Sequence, residues 1–371
     1  MQPRVDDTEG RRTWTINGRF VTQRVTGVQR YAYEIVRALN DLLGQDPHVA
    51  ARLALRLALP PAVESEPELS DIAICRTGFG SGHVWDQFVL PLYAGAEVLS
   101  LGNFGPLVAR NHIVCIHDAN VFIQPGSYSR TFGLLYRSVM PLVGKLARRV
   151  ATVSQFSAEM LVKYGVCRRE QIFIAPNGHE HALRWNASRA RTEIHNFKRP
   201  YVLLLGSTAK HKNIDVILQQ AERLEAAGID IIVAGGTFSI FSSRTIDLNR
   251  SNVHCVGYAG EDDLAALYEA ALCLAFPSRT EGFGLPPLEA MARGCPVVSS
   301  NVASLVEVGG DAALYVCPDD GDLWGETIVG LSQNESLRAT MSDKGRSRAG
   351  LFSWRRSAQV YLDEIERLLP R

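Results

Sequence analysis

The sequence predicts an α/β protein made of two doubly wound domains, each a parallel sheet covered by helices on both faces. Three observations carry this. Short apolar runs of strand length alternate with stretches of helical period, the pattern of buried parallel strands joined by crossover helices. The alternation lapses over residues 182–200 (ALRWNASRARTEIHNFKRP), which are polar and without a clear period, and then restarts. A chain of 371 residues is also longer than one compact core ordinarily supports. The expected organisation is a first domain over 1–190 and a second over 191–350. The closing helix, 351–371, has no strand to serve and is expected to pack back on the first domain.

The elements follow in order. WTINGRFV (14–21) is a strand, TQRVTGV (22–28) a turn, and QRYAYEIVRALNDLL (29–43) a helix in which Tyr31, Ile35, Ala38, Leu39 and Leu42 recur at helical spacing. Tyr31 fits that apolar stripe and reads as core. HIVCIHD (112–118) is a strand with a polar end, followed by a polar loop from Ala119 to Ser129 and a helix around Phe132–Leu146. ARRVATVSQFSAEMLVKYG (147–165) is a strand and then a helix that Ser154 is placed to cap. QIFIAPNGHE (171–180) is a strand ending in a Pro-Asn-Gly turn. In the second half, YVLLLGS, IDIIVAGG, NVHCVGY, the CLAF of EDDLAALYEAALCLAFPS and the PVVSS that closes 285–300 are strands, with helical segments between them. The point at which each sheet reverses its strand order is expected to open onto a shared cleft.

Composition narrows the function classes. Hydrophobic residues are 46% and charged residues 21% of the chain, a globular balance with no apolar run of the roughly 18 residues that a membrane span needs. The opening MQPRVDDTEGRR is charged and reads as a tail, not a secretory leader. The seven cysteines (Cys75, Cys115, Cys167, Cys255, Cys273, Cys295, Cys317) show no CxxC or Cys/His spacing, which reads as reduced thiols in a cytoplasmic protein. Formal charge is zero overall. Residues 1–190 hold 21 Lys+Arg against 16 Asp+Glu, and the remainder 18 against 23. So mild a split does not describe a nucleic-acid binder. It permits a basic first half to meet an anionic acceptor or a membrane surface.

The segment PSRTEGFGLPPLEAMARGCPVV (277–298) carries the most chemistry. It ends a strand, passes Gly282 and Gly284, and opens a helix near Pro286, a favoured first-turn residue. Such a helix start offers unpaired amides and the positive end of the helix dipole to a phosphate. Glycine lets the backbone approach an anion closely. Glu289 lies about one turn into the helix, within reach of a ribose hydroxyl, and Glu281 just before the turn. Either acid alone reads as an ordinary helix-start or surface residue. Two acids beside a phosphate site repel a bare anion unless they accept hydrogen bonds from hydroxyls, which points to a sugar nucleotide.

The run Glu281-Gly-Phe-Gly-Leu-Pro-Pro-Leu-Glu289, with seven residues between its acids, resembles the signature of retaining, family-4-type glycosyltransferases of the GT-B fold. TGVQRYAYEIVRAL (26–39) resembles the glycine loop and first helix of members that transfer mannose-like sugars. IHD (116–118), TVSQFS (152–157), APNGHE (175–180) and GSTAKHKN (206–213) resemble further motifs of the family, in the same order. The resemblance spans roughly residues 14–360. It implies two Rossmann-like domains facing a central cleft and a transferase that acts on a nucleotide-diphosphate sugar as substrate, with no cofactor.

The resemblance also implies roles. Lys212 would meet the donor diphosphate and stabilise the departing nucleoside diphosphate. Where the family often carries an arginine directly after the loop glycine, this chain has Ser207, so either Lys210 substitutes or one cation is missing. Glu281 would hold the sugar, Glu289 the ribose, and Gly282, Phe283, Gly284 and Leu285 the phosphates. Gly235 and Gly236 would line the same pocket, and Val256, Gly257 and Tyr258 would read the base through the main chain, which leaves guanine and uracil undistinguished. His117, a neutral imidazole at a strand end, would hydrogen-bond a sugar hydroxyl and joins Glu281 and Lys212 as a catalytic residue, and Gly27, Arg30, Ser154, Asn177 and Gly178 stand on the acceptor side. No Asp-x-Asp stands in a suitable strand-loop context, so no divalent ion is expected.

The motif order favours GDP-mannose or a related GDP-sugar as donor and a glycan or lipid-linked acceptor in surface polysaccharide synthesis, at the inner face of the membrane. Arg130, Arg137, Lys145, Arg148 and Arg149 could bring the helix to anionic lipid. Alternatives are a UDP-sugar or dTDP-rhamnose donor, and a catalytically silent sugar-nucleotide-binding subunit. A nicotinamide dehydrogenase ranks last, because no GxGxxG with a downstream acid follows the first strand.

Overall fold

A computed structural model of the chain describes residues 11–95, 97–207, 209–235 and 250–368. Gly236, expected in the donor pocket, lies outside the described residues. The chain divides into two compact units, 1–122 with 130–177 and 353–371, and 123–129 with 178–352. The crossing therefore falls after Asn177, ahead of the boundary at 190 that composition pointed to, and residues 123–129 group with the second unit. Residues 182–200 are no free linker. The helix Glu180–Arg184 and two short 3-10 turns occupy much of the stretch, and they are tied to the second unit. The Asn186 amide donates to Asp262 at 2.7 Å, and the Arg191 amide and guanidinium both donate to Asp263 at 2.8 Å.

In the first unit the strands are β1 (Arg12–Asn17), β2 (Leu53–Leu59), β3 (Ala73–Arg76), β4 (Glu97–Ser100), β5 (Asn111–Cys115), β6 (Arg149–Thr152) and β7 (Ile172–Ile174). They form one parallel sheet in the order β3-β2-β1-β4-β5-β6-β7. Trp14, Ile16, Leu55, Leu57, Val98, Leu99, Ile113 and Val114 are buried along it, as strands covered on both faces require. The closing helix, Trp354–Arg367, buries Trp354, Ala358, Tyr361, Leu362 and Ile365, one apolar stripe, and packs against the helix Gly27–Gln45. Its anchors are polar as well. The Tyr31 and Tyr361 hydroxyls are 3.0 Å apart, Arg149 meets Glu364 at 2.6 Å, and the Ser357 hydroxyl donates to the Pro176 carbonyl at 2.6 Å.

The second unit has β8 (Tyr201–Leu205), β9 (Asp230–Ala234), β10 (Val253–Gly257), β11 (Cys273–Phe276), β12 (Val297–Ser300) and β13 (Leu314–Val316), again parallel, in the order β10-β9-β8-β11-β12-β13. Val202, Leu204, Ile231, Val233, Ala275 and Val298 share one core with Ile217, Trp324 and Ile328 of the covering helices. Both sheets reverse direction of growth once, between β1 and β4 in the first and between β8 and β11 in the second. In doubly wound sheets the crevice outside the carboxyl ends of the strands at that reversal is where ligands bind. Among the described residues no helix is long and apolar enough to cross a membrane.

Candidate functional site

The strand ends on either side of the second sheet's reversal hold two of the three residues expected to do chemistry. Lys212 lies in the 3-10 turn Lys210–Lys212 after β8, and Glu281 in the loop after β11. They meet. Lys212 Nζ donates to Glu281 Oε1 at 2.6 Å, with the lysine side chain 26% exposed and the glutamate 12%. The ammonium also sits 5.3 Å from the Phe276 ring centroid, a cation–π contact that holds it over the end of β11.

Asn213 joins the two strand ends, and sequence reasoning passed over it. Its φ of 53° is left-handed, a conformation asparagine tolerates better than most residues. Its side-chain amide donates to the Pro277 carbonyl at 3.2 Å and the Pro318 carbonyl at 2.7 Å, and the Arg279 amide donates to the His211 carbonyl at 2.8 Å. Ser304 braces the other end of the loop, its hydroxyl 2.9 Å from the Glu281 carbonyl and 3.0 Å from that of Phe283. His211 stacks on Tyr128, with ring centroids 6.4 Å apart. Burial, then the charge of Lys212, lowers its pKa against the opposing pull of Glu281.

The helix after the loop is Leu285–Ala292, with Gly284 as its N-cap at φ 103°. That angle needs glycine, and an added Cβ would meet Leu305 Cδ2 at 2.7 Å. One expectation needs correction. Pro286 and Pro287 occupy the second and third helical positions and have no N–H. The helix mouth near Pro286 therefore offers Leu285 as its one first-turn amide of the three. Phe283 is 5% exposed and packs edge-on against Phe352, and Leu285 is buried too.

Glu289 sits on the second turn of this helix, 8% exposed, with both oxygens engaged. His181 Nε2 lies 3.0 Å from Oε1, and the Tyr268 hydroxyl donates to Oε2 at 3.2 Å. Burial and the nearby Glu289 charge raise the Tyr268 pKa well above its ordinary value, so the phenol stays protonated.

The remaining donor-side residues line up behind β8–β10. Gly206 accepts no side chain, because a Cβ would stand 2.5 Å from the Gly235 carbonyl oxygen. Gly235 has φ 89° and donates its amide to Gly257 at 2.6 Å, and Gly257 has φ 68°. Ser207 accepts from the Ala209 amide at 3.2 Å, and Lys210 is exposed. The carbonyls of Val256 and Tyr258 accept from the Arg191 guanidinium at 3.3 and 3.1 Å, so that stretch of main chain is braced from a residue the motifs did not single out.

In the first unit, His117 is 6% exposed. Its Nε2–H donates to the Leu101 carbonyl at 3.0 Å, which leaves Nδ1 as an acceptor. Burial pushes its pKa down to about 4, so the ring is neutral near pH 7. It lies edge-on to Tyr31, which is fully buried and donates to the Ala175 carbonyl at 2.9 Å. Gly27 opens the helix Gly27–Gln45, and a Cβ there would meet nothing within 4 Å. Arg30 pairs with Glu34 at 3.5 Å. Ser154 caps the helix Gln155–Lys163 by accepting from the Ser157 amide at 3.0 Å. Asn177 and Gly178 are buried at the end of the first unit's sheet and the start of the second unit.

Residues 188–348, all within the second unit, match the family model described as glycosyl transferases group 1. The match lies within that unit and covers less than half of the chain. The chain is 29% identical over 227 residues to the O-antigen chain mannosyltransferase RfbU of Salmonella typhimurium, a stretch covering 60% of this chain and 62% of that relative. Among solved structures it superposes on the sucrose-phosphate synthase of Thermosynechococcus elongatus with TM-score 0.73 at 19% identity, over 96% of this chain and 99% of the other. It superposes on Anabaena HepE, solved in complex with UDP and glucose, with TM-score 0.68 at 17% identity over 96% and 99%. The fold is thus that of GT-B glycosyltransferases, with two Rossmann-like domains.

Proposed function

We propose that this chain transfers a hexose from a nucleotide-diphosphate sugar to a glycan or lipid-linked acceptor in bacterial surface-polysaccharide synthesis, with GDP-mannose as donor and retention at the anomeric carbon. The observation that carries the reading is the Lys212–Glu281 pair at the reversal of the second sheet. An ammonium and a carboxylate within hydrogen-bond reach suit a ligand that carries phosphate at one end and hydroxyls at the other. Mannose is favoured because the relative RfbU is named for it.

In this reading the diphosphate lies on the loop Gly282–Gly284 and the Leu285 amide, and Lys212 turns from Glu281 toward it. As the bond from the anomeric carbon to the phosphate oxygen breaks, the departing oxygen gains charge and the ammonium stabilises it. Glu281 then accepts from sugar hydroxyls and offsets positive charge at the anomeric carbon. The acceptor oxygen attacks from the side the phosphate leaves, and its proton passes to the phosphate oxygen. Lys212 and the helix dipole do the work a metal does elsewhere, so turnover survives EDTA.

Thermal shift with GDP-mannose, UDP-glucose and dTDP-rhamnose separates the donors. A donor at a hundred times its Kd adds about 2.7 kcal/mol to stability. Stabilisation by GDP-mannose alone is expected, and stabilisation by UDP-glucose alone turns the assignment to a UDP-sugar. Stabilisation with no transfer to extracted lipid acceptors makes the chain a silent binding subunit.

Membrane contact belongs to the same proposal. The helix Arg130–Leu146 exposes Leu134, Leu135, Leu142 and Leu146 beside Arg137 and Lys145, and residues 119–158 contain no Asp or Glu. Reversing the charges of Arg137 and Lys145 should reduce sedimentation with phosphatidylglycerol vesicles. Unchanged sedimentation removes the contact.

A further inference from the structure

We infer that His181 and Tyr268 are positioning residues that aim the Glu289 carboxylate at the ribose of the donor nucleotide, an inference that rests on the donor-site reading above. A carboxylate oxygen accepts hydrogen bonds, so at 3.0 Å His181 Nε2 is the donor. Tyr268 supplies the second donor at 3.2 Å. The two protein donors take one lone-pair direction on each oxygen and leave one on each for a ligand. A carboxylate gripped from both sides cannot rotate away, and a ribose diol then meets an acceptor already in place.

The supports of this grip are themselves rigid. The His181 side chain is fully buried and lies edge-on to Trp185, with ring centroids 5.4 Å apart. Its short helix, Glu180–Arg184, is pinned by Arg293, whose guanidinium donates to the Ala182 and Trp185 carbonyls at 3.3 and 3.2 Å. Arg293 follows directly on the helix that carries Glu289, so one helix both presents the acid and holds the element that orients it. Tyr268 is fully buried on the helix Glu261–Ala270.

The test is equilibrium binding of GDP and UDP, each against its 2′-deoxy and 3′-deoxy form, to wild type, His181→Leu, His181→Gln, Tyr268→Phe and Glu289→Gln. Wild type is expected to favour the ribonucleotide it binds by about tenfold over one of the deoxy forms, the size of one well-placed hydrogen bond. His181→Leu keeps volume without a donor, and it should lose most of that preference while kcat at saturating donor changes less than about threefold. His181→Gln, which can place an amide near the Nε2 position, should restore the preference. Tyr268→Phe removes one oxygen and gives an independent answer should His181→Leu fail to fold. In a Glu289→Gln background neither change should add to the loss, because both act through the acid. If Glu289→Gln loses the preference but His181→Leu and Tyr268→Phe keep it, the positioning role is overturned and the ribose role of Glu289 stands. If Glu289→Gln itself keeps the preference, the ribose role falls and the positioning role falls with it.

Discussion

Glu281 and Glu289 lie on one loop and the helix it opens, yet their surroundings differ in kind. Glu281 is held by a single flexible ammonium that is itself a quarter exposed. Glu289 is held by two buried donors on separate helices. An ion pair to a lysine can exchange its partner when a stronger anion arrives, since the four-carbon stem lets the charge travel. A carboxylate fixed from both sides cannot. The first arrangement suits a group whose partner must change during a reaction, the second a group that must stay put while a ligand comes and goes. The motif writes both as the same letter, and the difference lies in what folds around them.

The sharpest way to break this comparison is to remove the exchangeable cation. Lys212→Met should lower kcat by about 10²–10³-fold, the cost of deleting one preplaced donor at a developing charge, with far-ultraviolet circular dichroism unchanged. A kcat within threefold of wild type would make the Lys212–Glu281 pair structural only.

A smaller effect concerns the neutral histidines of the first unit. Burial lowers the pKa of His112 to about 3 and of His117 to about 4, against an ordinary imidazole value of 6.5. Below pH 6.5 the unfolded chain binds protons at both that the folded chain does not, so stability present above that pH is lost as the pH falls. Each group should cost about 2 kcal/mol at pH 5, at about 1.4 kcal/mol per pH unit. Urea midpoints between pH 7 and pH 5 read this, and His112→Gln should flatten the slope. A midpoint independent of pH would contradict it.

Two glycines give a finer contrast. Gly206→Ala drives a Cβ against the Gly235 carbonyl and should cost about 1–3 kcal/mol in thermal unfolding, as overpacking does. Gly27→Ala meets open space, and its effect on stability should stay within about 0.5 kcal/mol. If Gly27 lets a substrate approach, the same variant raises KM. An unchanged KM makes it a plain helix start.

How much of this could be read beforehand follows a physical line. Strand runs such as HIVCI and YVLLL were legible because parallel strands buried on both faces are continuously apolar, and the structure puts both in sheet centres. The helix start in the EGFGLPPLE run was legible because glycine and proline stand next to each other there, and the structure opens the helix Leu285–Ala292 with Gly284 as its N-cap. The unit boundary was not, since residues 182–200 look like a linker and are held in place by Asp262 and Asp263, more than 70 positions later. The His181–Glu289 contact spans 108 positions, and no local pattern announces it. Asn213 could have been found: asparagine after a lysine-rich turn is a usual way to seat a left-handed residue. The weakness of the helix mouth was also in plain view, as two prolines in the first turn remove two amides.

The most direct measurement is a paired one on the two acids, with donor turnover followed by mass spectrometry and nucleotide affinity measured on the same preparations. Glu281→Gln should lose kcat by orders of magnitude while the Kd for the nucleoside diphosphate changes less than threefold. Glu289→Gln should raise that Kd about tenfold and leave kcat at saturating donor nearly intact. Wild-type turnover in Glu281→Gln, or the same fall in kcat in both variants, would contradict the division of labour between an exchanging acid and a fixed one.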